Sequence, residues 1–163
     1  ANALNWAPVA QSAAFALASY QIALPARDST ARPAEIALRL TFAMNLLLFG
    51  GIHIFMQEII AGLIPRWIPA RELWPWLTGS TMIAAGAAML IGKAVEIAGI
   101  VVAAMFASWI VLIHVERLWQ RPADGFEWTF GLTALALAGA ALMTVREQKG
   151  AQLWKTSHLA HRH

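Results

Sequence analysis

HIFMQEIIAGLIPRWIPARELWPWLTG, residues 53–79, decides how the rest of the chain is read. Apolar runs flank it on both sides. Within it lie Pro65, Pro69 and Pro75, the tryptophans Trp67, Trp74 and Trp76, and charges at Glu58, Arg66, Arg71 and Glu72. Proline lacks an amide hydrogen and its ring clashes with the preceding turn, so no helix runs unbroken through 65 and 69. An indole, with an apolar ring and one N–H donor, suits the boundary between hydrocarbon and water. The stretch is therefore expected to be a connection lying along a membrane surface and gathering the ends of the helices it joins.

Composition points the same way. Of 163 residues, 59% are hydrophobic and 13% charged, whereas a soluble domain carries about 25% charged residues. In a bilayer only helices and closed barrels satisfy their own backbone groups. The apolar runs are dominated by alanine, leucine and methionine, which favour helix, and the alternation of a barrel strand is absent. The expected fold is all-α: an integral membrane four-helix bundle with an additional N-terminal transmembrane or interfacial helix. The chain has no cysteine, which excludes disulfides, thiolate metal sites and thiol relays within it. That separates it from four-helix membrane enzymes that reduce quinones through cysteine pairs. The net charge is +3, but the basic residues are scattered over loops and tails. No nucleic-acid face is expected.

Four strong spans follow along the chain: Glu35 to Met56, Leu73 to Gly92, Val95 to about Trp119, and Phe126 to Val145. Short links join them, as in an up-and-down bundle. The second is rich in small residues (Gly79, Ala84, Ala85, Gly86, Ala87, Ala88) that let helices approach closely. Ahead of these, residues 4–24 are apolar but diluted by Gln11, Ser12, Ser19, Tyr20 and Gln21. They are long enough to span, at about 20 residues, and equally suited to lie in the interface. The organisation expected is an N-terminal helix and polar link over 1–33, the bundle over 34–145, and a basic tail over 146–163.

Charge orients the bundle. Arg27, Arg32, Arg39, Lys93, Arg146, Lys149, Lys155 and Arg162 fall on one side, and Arg66, Arg71, Arg117 and Arg121 on the other. The positive-inside bias places the C-terminal tail in the cytoplasm of a bacterial inner membrane and the tryptophan–proline loop in the periplasm.

This topology gathers polar residues at the outer ends of the spans. His53 ends the first and His114 lies near the end of the third, with Glu58, Glu116, Arg117 and Glu127 close to the same surface. Thr41, Asn45, Phe49, His53 and Gln57 recur every four residues and share a helix face. Ionisable groups within spans face the bundle interior and are functional candidates by default. The candidate ligand-binding set is His53, Asn45, Trp74, His114, Arg117 and Glu127, beneath an interfacial loop marked by Pro65, Trp67, Pro69 and Trp76. Plainer roles stand beside these. A histidine at a span end is an interfacial hydrogen bonder, His114–Arg117 a charge cluster meeting headgroups, and Glu127 a complement to its helix dipole. Two histidines with loosely placed carboxylates do not make a metal site, and none is expected. Either histidine has the ring nitrogen to ligate a haem or chlorophyll-type pigment; a quinone is the other ligand considered, and the cofactor stays open. The stretch 97–107 offers no polar line across the bilayer, which disfavours a channel or transporter.

The residues also carry a family likeness. FGGIHIF, then GLIPRWIPARELWPWLTG and a Gly/Ala-rich helix, then MFASWIVLIHVERLW and FEWTFGLTALALAGAAL, resemble the DoxX-like family of small bacterial integral membrane proteins over about 34–145. The matching positions are His53, Pro65, Trp67, Pro69, Trp74, Thr78, Gly79, His114, Glu127 and Trp128. The likeness implies a four-helix membrane bundle, and an N-terminal helix would depart from that pattern. Related proteins include a membrane subunit of a thiosulfate:quinone oxidoreductase and a member of an oxidoreductase complex dealing with oxidative stress. Two functions are thereby expected. One is an accessory subunit with a structural, docking role in a larger respiratory or photosynthetic electron-transfer complex, its partners being lipids and other membrane subunits. The alternative is a quinone-linked oxidoreductase subunit with a pocket at the outer leaflet. There His53 would hydrogen-bond a carbonyl oxygen, His114 or Glu127 would relay a proton, and Arg117 could hold an oxyanion. With no cysteine and no dinucleotide fingerprint, such redox chemistry would need a partner protein.

Overall fold

A computed structural model describes residues 31–160. The N-terminal segment 4–24, most of the polar link behind it, and His161 and His163 lie outside the described residues. Among the described residues the chain is all-helical. Helix α1 covers Ala31–Phe55, α2 Gln57–Leu63, α3 Trp74–Ile91, α4 Val95–Trp109, α5 Val115–Gln120 and α6 Gly125–Ala160. Between α4 and α5 the helix passes through a π-turn over Ile110–His114.

Local chemistry sets most of these boundaries. Pro33 sits in the first turn of α1 and Pro75 in the first turn of α3, where a missing amide hydrogen costs nothing. Helix α2 stops at Ile64, whose extended backbone (φ −77°, ψ 131°) is what a residue before proline prefers. The connection onward is not a free loop. Turns close from Ile68 N–H to the Pro65 carbonyl and from Leu73 N–H to the Ala70 carbonyl, and the buried Ile64 and Ile68 pin it from below. At the other end α3 closes on Gly92 in the left-handed region (φ 74°). Lys93 N–H reaches back to the Ala88 carbonyl and Gly92 N–H to the Met89 carbonyl, the paired bonds of a Schellman stop.

Helices α1 and α3 pack backbone to backbone. A Cβ added at Gly50 would lie 2.7 Å from the Gly79 carbonyl oxygen, and one at Gly86 would lie 2.8 Å from that of Ala43. These two crossings, seven residues apart on each helix, run in opposite chain directions, so the helices are antiparallel. Helices α4 and α6 repeat the arrangement at Gly99, against the Ala141 carbonyl and Val145. Lipid tails are as apolar as leucine, so close van der Waals approach of this kind holds helices together in a bilayer. Phe42 and Leu46 of α1, Met82 and Met89 of α3, Val102 and Phe106 of α4, and Leu137 and Ala141 of α6 meet in one apolar core.

Three segments are long and apolar enough to cross a membrane: Glu35–Phe55, Val95–Gln120 and Glu127–Arg146. The expected span Leu73–Gly92 forms a helix but is not among them. Its first turns, WPWLTGST, carry proline, glycine, three hydroxyl side chains and two indoles that dilute it. Helix α6 continues past Val145 to Ala160, since REQKGAQLWKTSHLA is proline-free and rich in good helix formers.

Candidate functional site

At the proline end of the helices, side-chain hydrogen bonds tie together elements that lie far apart in the chain. Arg117, on α5, donates from Nε to Glu127 Oε2 and from Nη2 to Oε1, each at 2.7 Å. This forked geometry is the strongest a guanidinium and a carboxylate can make. Glu127 is only 3% exposed, and its place in the first turn of α6 adds the favourable field of that helix end. Arg121 approaches the same carboxylate at 3.6 Å. The remaining arm of Arg117, Nη1, donates to the Leu63 carbonyl at 3.2 Å, satisfying a backbone group left over where α2 ends. One residue earlier, Glu116 accepts from Trp67 Nε1 at 2.7 Å and from Gln120 Nε2 at 3.1 Å. The short helix α5 thus ties the connection after α2, through Leu63 and Trp67, to the start of α6.

The tryptophans complete this end. Trp74 Nε1 donates to the Pro69 carbonyl at 3.0 Å and Trp128 Nε1 to the Pro122 carbonyl at 2.9 Å. Trp74 also meets Trp109 edge to face, with ring centroids 5.3 Å apart. The described tryptophan side chains, at 67, 74, 76, 109, 119 and 128, all belong to the proline end. Several of the rings stand open, Trp119 at 87% and Trp67 at 60% exposure.

The π-turn delivers His114 here. Val115 N–H bonds to the Ile110 carbonyl, five residues back. The wider turn inserts one residue into the helical phase, a feature that recurs at functional positions. His114 packs on Gly131, one turn beyond Glu127: a Cβ placed at that glycine would lie 3.6 Å from the His114 Cβ. Its Nδ1 is buried and has no hydrogen-bond partner.

The expected site residues thus divide. His114, Arg117 and Glu127 come together, with Trp67 on the same network. His53 and Asn45 do not join it. His53 donates from Nδ1 to the Phe49 carbonyl of its own helix at 2.8 Å, and its Cβ faces Gly79 of α3. Asn45, 1% exposed, is buried in α1 among core residues with its Nδ2 unpaired. Trp74 and Pro69 are joined by their own hydrogen bond, Pro65 anchors a turn, and Trp76 faces outward. Reasoning from sequence missed the Trp67–Glu116 bond, the Leu63 carbonyl and the π-turn. The first links residues 49 positions apart, and no local pattern marks any of the three.

A second feature lies on the outer face of the α3–α4 pair. An open cleft of about 360 Å³ runs between Leu77, Thr78 and Thr81 on α3 and Val101, Ala104 and Ser108 on α4, with Trp74 and Trp109 at one end. Its hydroxyl protons are committed: Thr78 donates to the Trp74 carbonyl, Thr81 to that of Leu77 and Ser108 to that of Met105. Among the described residues no three histidine, aspartate or glutamate side chains converge as metal ligands would.

No family model, curated protein or solved structure matches this chain.

Proposed function

We propose that the chain is an integral membrane protein of the DoxX-like kind, its four long helices forming a transmembrane bundle with an additional N-terminal helix. In this reading it serves as an accessory, structural subunit of a larger electron-transfer complex in a bacterial inner membrane. The proline–tryptophan end faces the periplasm and the basic tail the cytoplasm. Membrane insertion is supported by the three long apolar helices and by the exposed indoles of Trp67, Trp76, Trp119 and Trp128 at one end, residues suited to headgroup depth. Exposed Leu40, Met44, Ile97, Val111, Leu132 and Leu142 supply the lateral surface that lipid or neighbouring subunits would cover. The electron-transfer setting rests on the family likeness alone.

One observation carries the structural role over a catalytic one. The most chemically capable groups are already engaged: both oxygens of the Glu127 carboxylate are held by Arg117 and Glu116 is held by Trp67, bonds that join elements, while His53 Nδ1 bonds a carbonyl of its own helix. The quinone-linked reading keeps one specific support, the unpartnered Nδ1 of His114 beside the Arg117–Glu127 pair. Purification from native membranes in gentle detergent, followed by mass spectrometry of bound proteins and extracted quinones, separates the two. The expected result is a set of stoichiometric companion subunits, unchanged by His53→Ala and His114→Ala. A protein isolated alone that carries quinone, and loses it on His114→Ala, would overturn the structural role.

A further inference from the structure

We propose that the α3–α4 cleft binds one hydrocarbon chain of a membrane lipid, taken from the leaflet at the proline end. The idea rests on the membrane-inserted reading above, but not on any partner complex.

The cleft exists because its floor is made of small side chains. On α1 and α6 the outward residues are long, as at Leu40, Met44, Leu132, Leu135 and Leu142. Between α3 and α4, Thr78, Thr81, Ala104 and Ser108 leave a recess walled by Leu77 and Val101, which stand 57% and 45% exposed. A lipid chain against the leucine faces touches only side-chain tips. One lying in the recess is flanked on both sides, and each added pair of atoms at close range adds dispersion energy.

Length and depth fit such a chain. Trp74 and Thr81 are seven residues apart on α3, and Val101 and Trp109 eight apart on α4, so the cleft is about 10–12 Å long. Its indole end suits the depth where headgroups begin. From there it covers most of the hydrocarbon of one leaflet, about 15 Å deep. A chain lying along the helices therefore enters from its own headgroup and stays within its own leaflet.

The chemistry selects hydrocarbon over a polar ring. Among the described residues no charged side chain lines the cleft. Four of its donors are spent on backbone: Thr78 to the Trp74 carbonyl at 2.7 Å, Thr81 to that of Leu77 and Ser108 to that of Met105 at 2.8 Å, and Trp74 Nε1 to that of Pro69 at 3.0 Å. The three hydroxyls keep only lone pairs to offer. A quinone ring would bring carbonyl acceptors to those acceptors, and its oxygens would be desolvated without a bond in return. A saturated chain asks for no hydrogen bond, and the apolar walls meet it fully.

Photocrosslinking tests this. The full chain is placed in bilayers of phosphatidylcholine, part of it carrying a diazirine midway along one acyl chain, and adducts are mapped by mass spectrometry. Adducts at Leu77, Thr81, Val101 and Ala104 should exceed those at Leu132 and Leu135 on α6 several-fold. Ala104→Trp, at an exposed position, fills the recess and should erase that excess while adducts on α6 stay unchanged, which also shows that the bundle is intact. Thr81→Leu should reduce the excess by a smaller factor. A tail-less benzoquinone added to the same bilayers should leave it as it was. Adducts spread evenly over all faces, or fewer at the cleft than on α6, overturn the proposal, and so does loss of the excess to the tail-less quinone. An excess that survives both substitutions overturns it as well. Release of the chain by alkaline carbonate overturns the membrane-inserted reading and this proposal with it, whereas retention with even adducts overturns the proposal alone.

Discussion

The two ends of the helices are closed by different physics. At the turn between α3 and α4 the backbone does the work: Gly92 adopts a left-handed conformation, and two backbone hydrogen bonds stop the helix. At the proline end, side chains from distant parts of the chain do it, with Arg117 gripping Glu127 and the Leu63 carbonyl while Glu116 holds Trp67. The first closure depends on the torsion of one residue and is complete within six positions. The second depends on a buried charge finding its partner, so its loss spreads to every element the pair joins. A stop made by backbone is cheap to weaken, and one made by buried charge is costly.

The sharpest way to break that contrast is Glu127→Gln. It leaves Arg117 partly buried without its counter-charge and should lower stability by about 3–5 kcal/mol, read as thermal unfolding in mild detergent. Replacing both partners, Arg117→Met with Glu127→Met, should recover most of the loss, because an apolar pair leaves no charge stranded. If the double variant is as unstable as the single, the pair does more than neutralise itself. Gly92→Ala comes next, at about 1 kcal/mol. An added Cβ there meets nothing closer than 3.9 Å, so the loss measures backbone torsion alone. A larger effect would mean that the turn depends on contacts and not only on φ. Smallest is Trp67→Phe, which keeps an aromatic ring and removes one exposed hydrogen bond. About 0.5–1 kcal/mol is expected by the same unfolding assay. A loss as large as that of Glu127→Gln would make Glu116, and not the Arg117–Glu127 pair, the anchor of the connection.

Much of the site was legible only as a set of residue types. His114 and Arg117, three apart in sequence, and Glu127 at the start of the next helix could be placed at one end from topology, and the structure joins Arg117 to Glu127 and packs His114 on Gly131, one turn beyond. The grouping of His53 with them did not follow. A histidine has a competing partner in the carbonyl four residues behind it, and His53 takes that bond. Asn45 likewise shares a face with His53 on paper, yet sits in the apolar core. The π-turn at Ile110–His114 has no signature in IVLIH, whose residues are equally at home in an α-helix.

The features legible in the residues alone are local: apolar length, helix-forming composition, the breaks imposed by Pro65 and Pro69 and the gathering of tryptophans in one connection. Each follows from a residue's own torsions, size or solvation, and none needs knowledge of its neighbours in space. Long-range packing sets which carbonyls Gly50 and Gly86 press against, the pairing of Arg117 with Glu127 and Leu63, and the open cleft between α3 and α4. Those outcomes depend on how helices distant in sequence cross, and the crossing is set by the sum of many weak contacts that no single stretch of sequence contains.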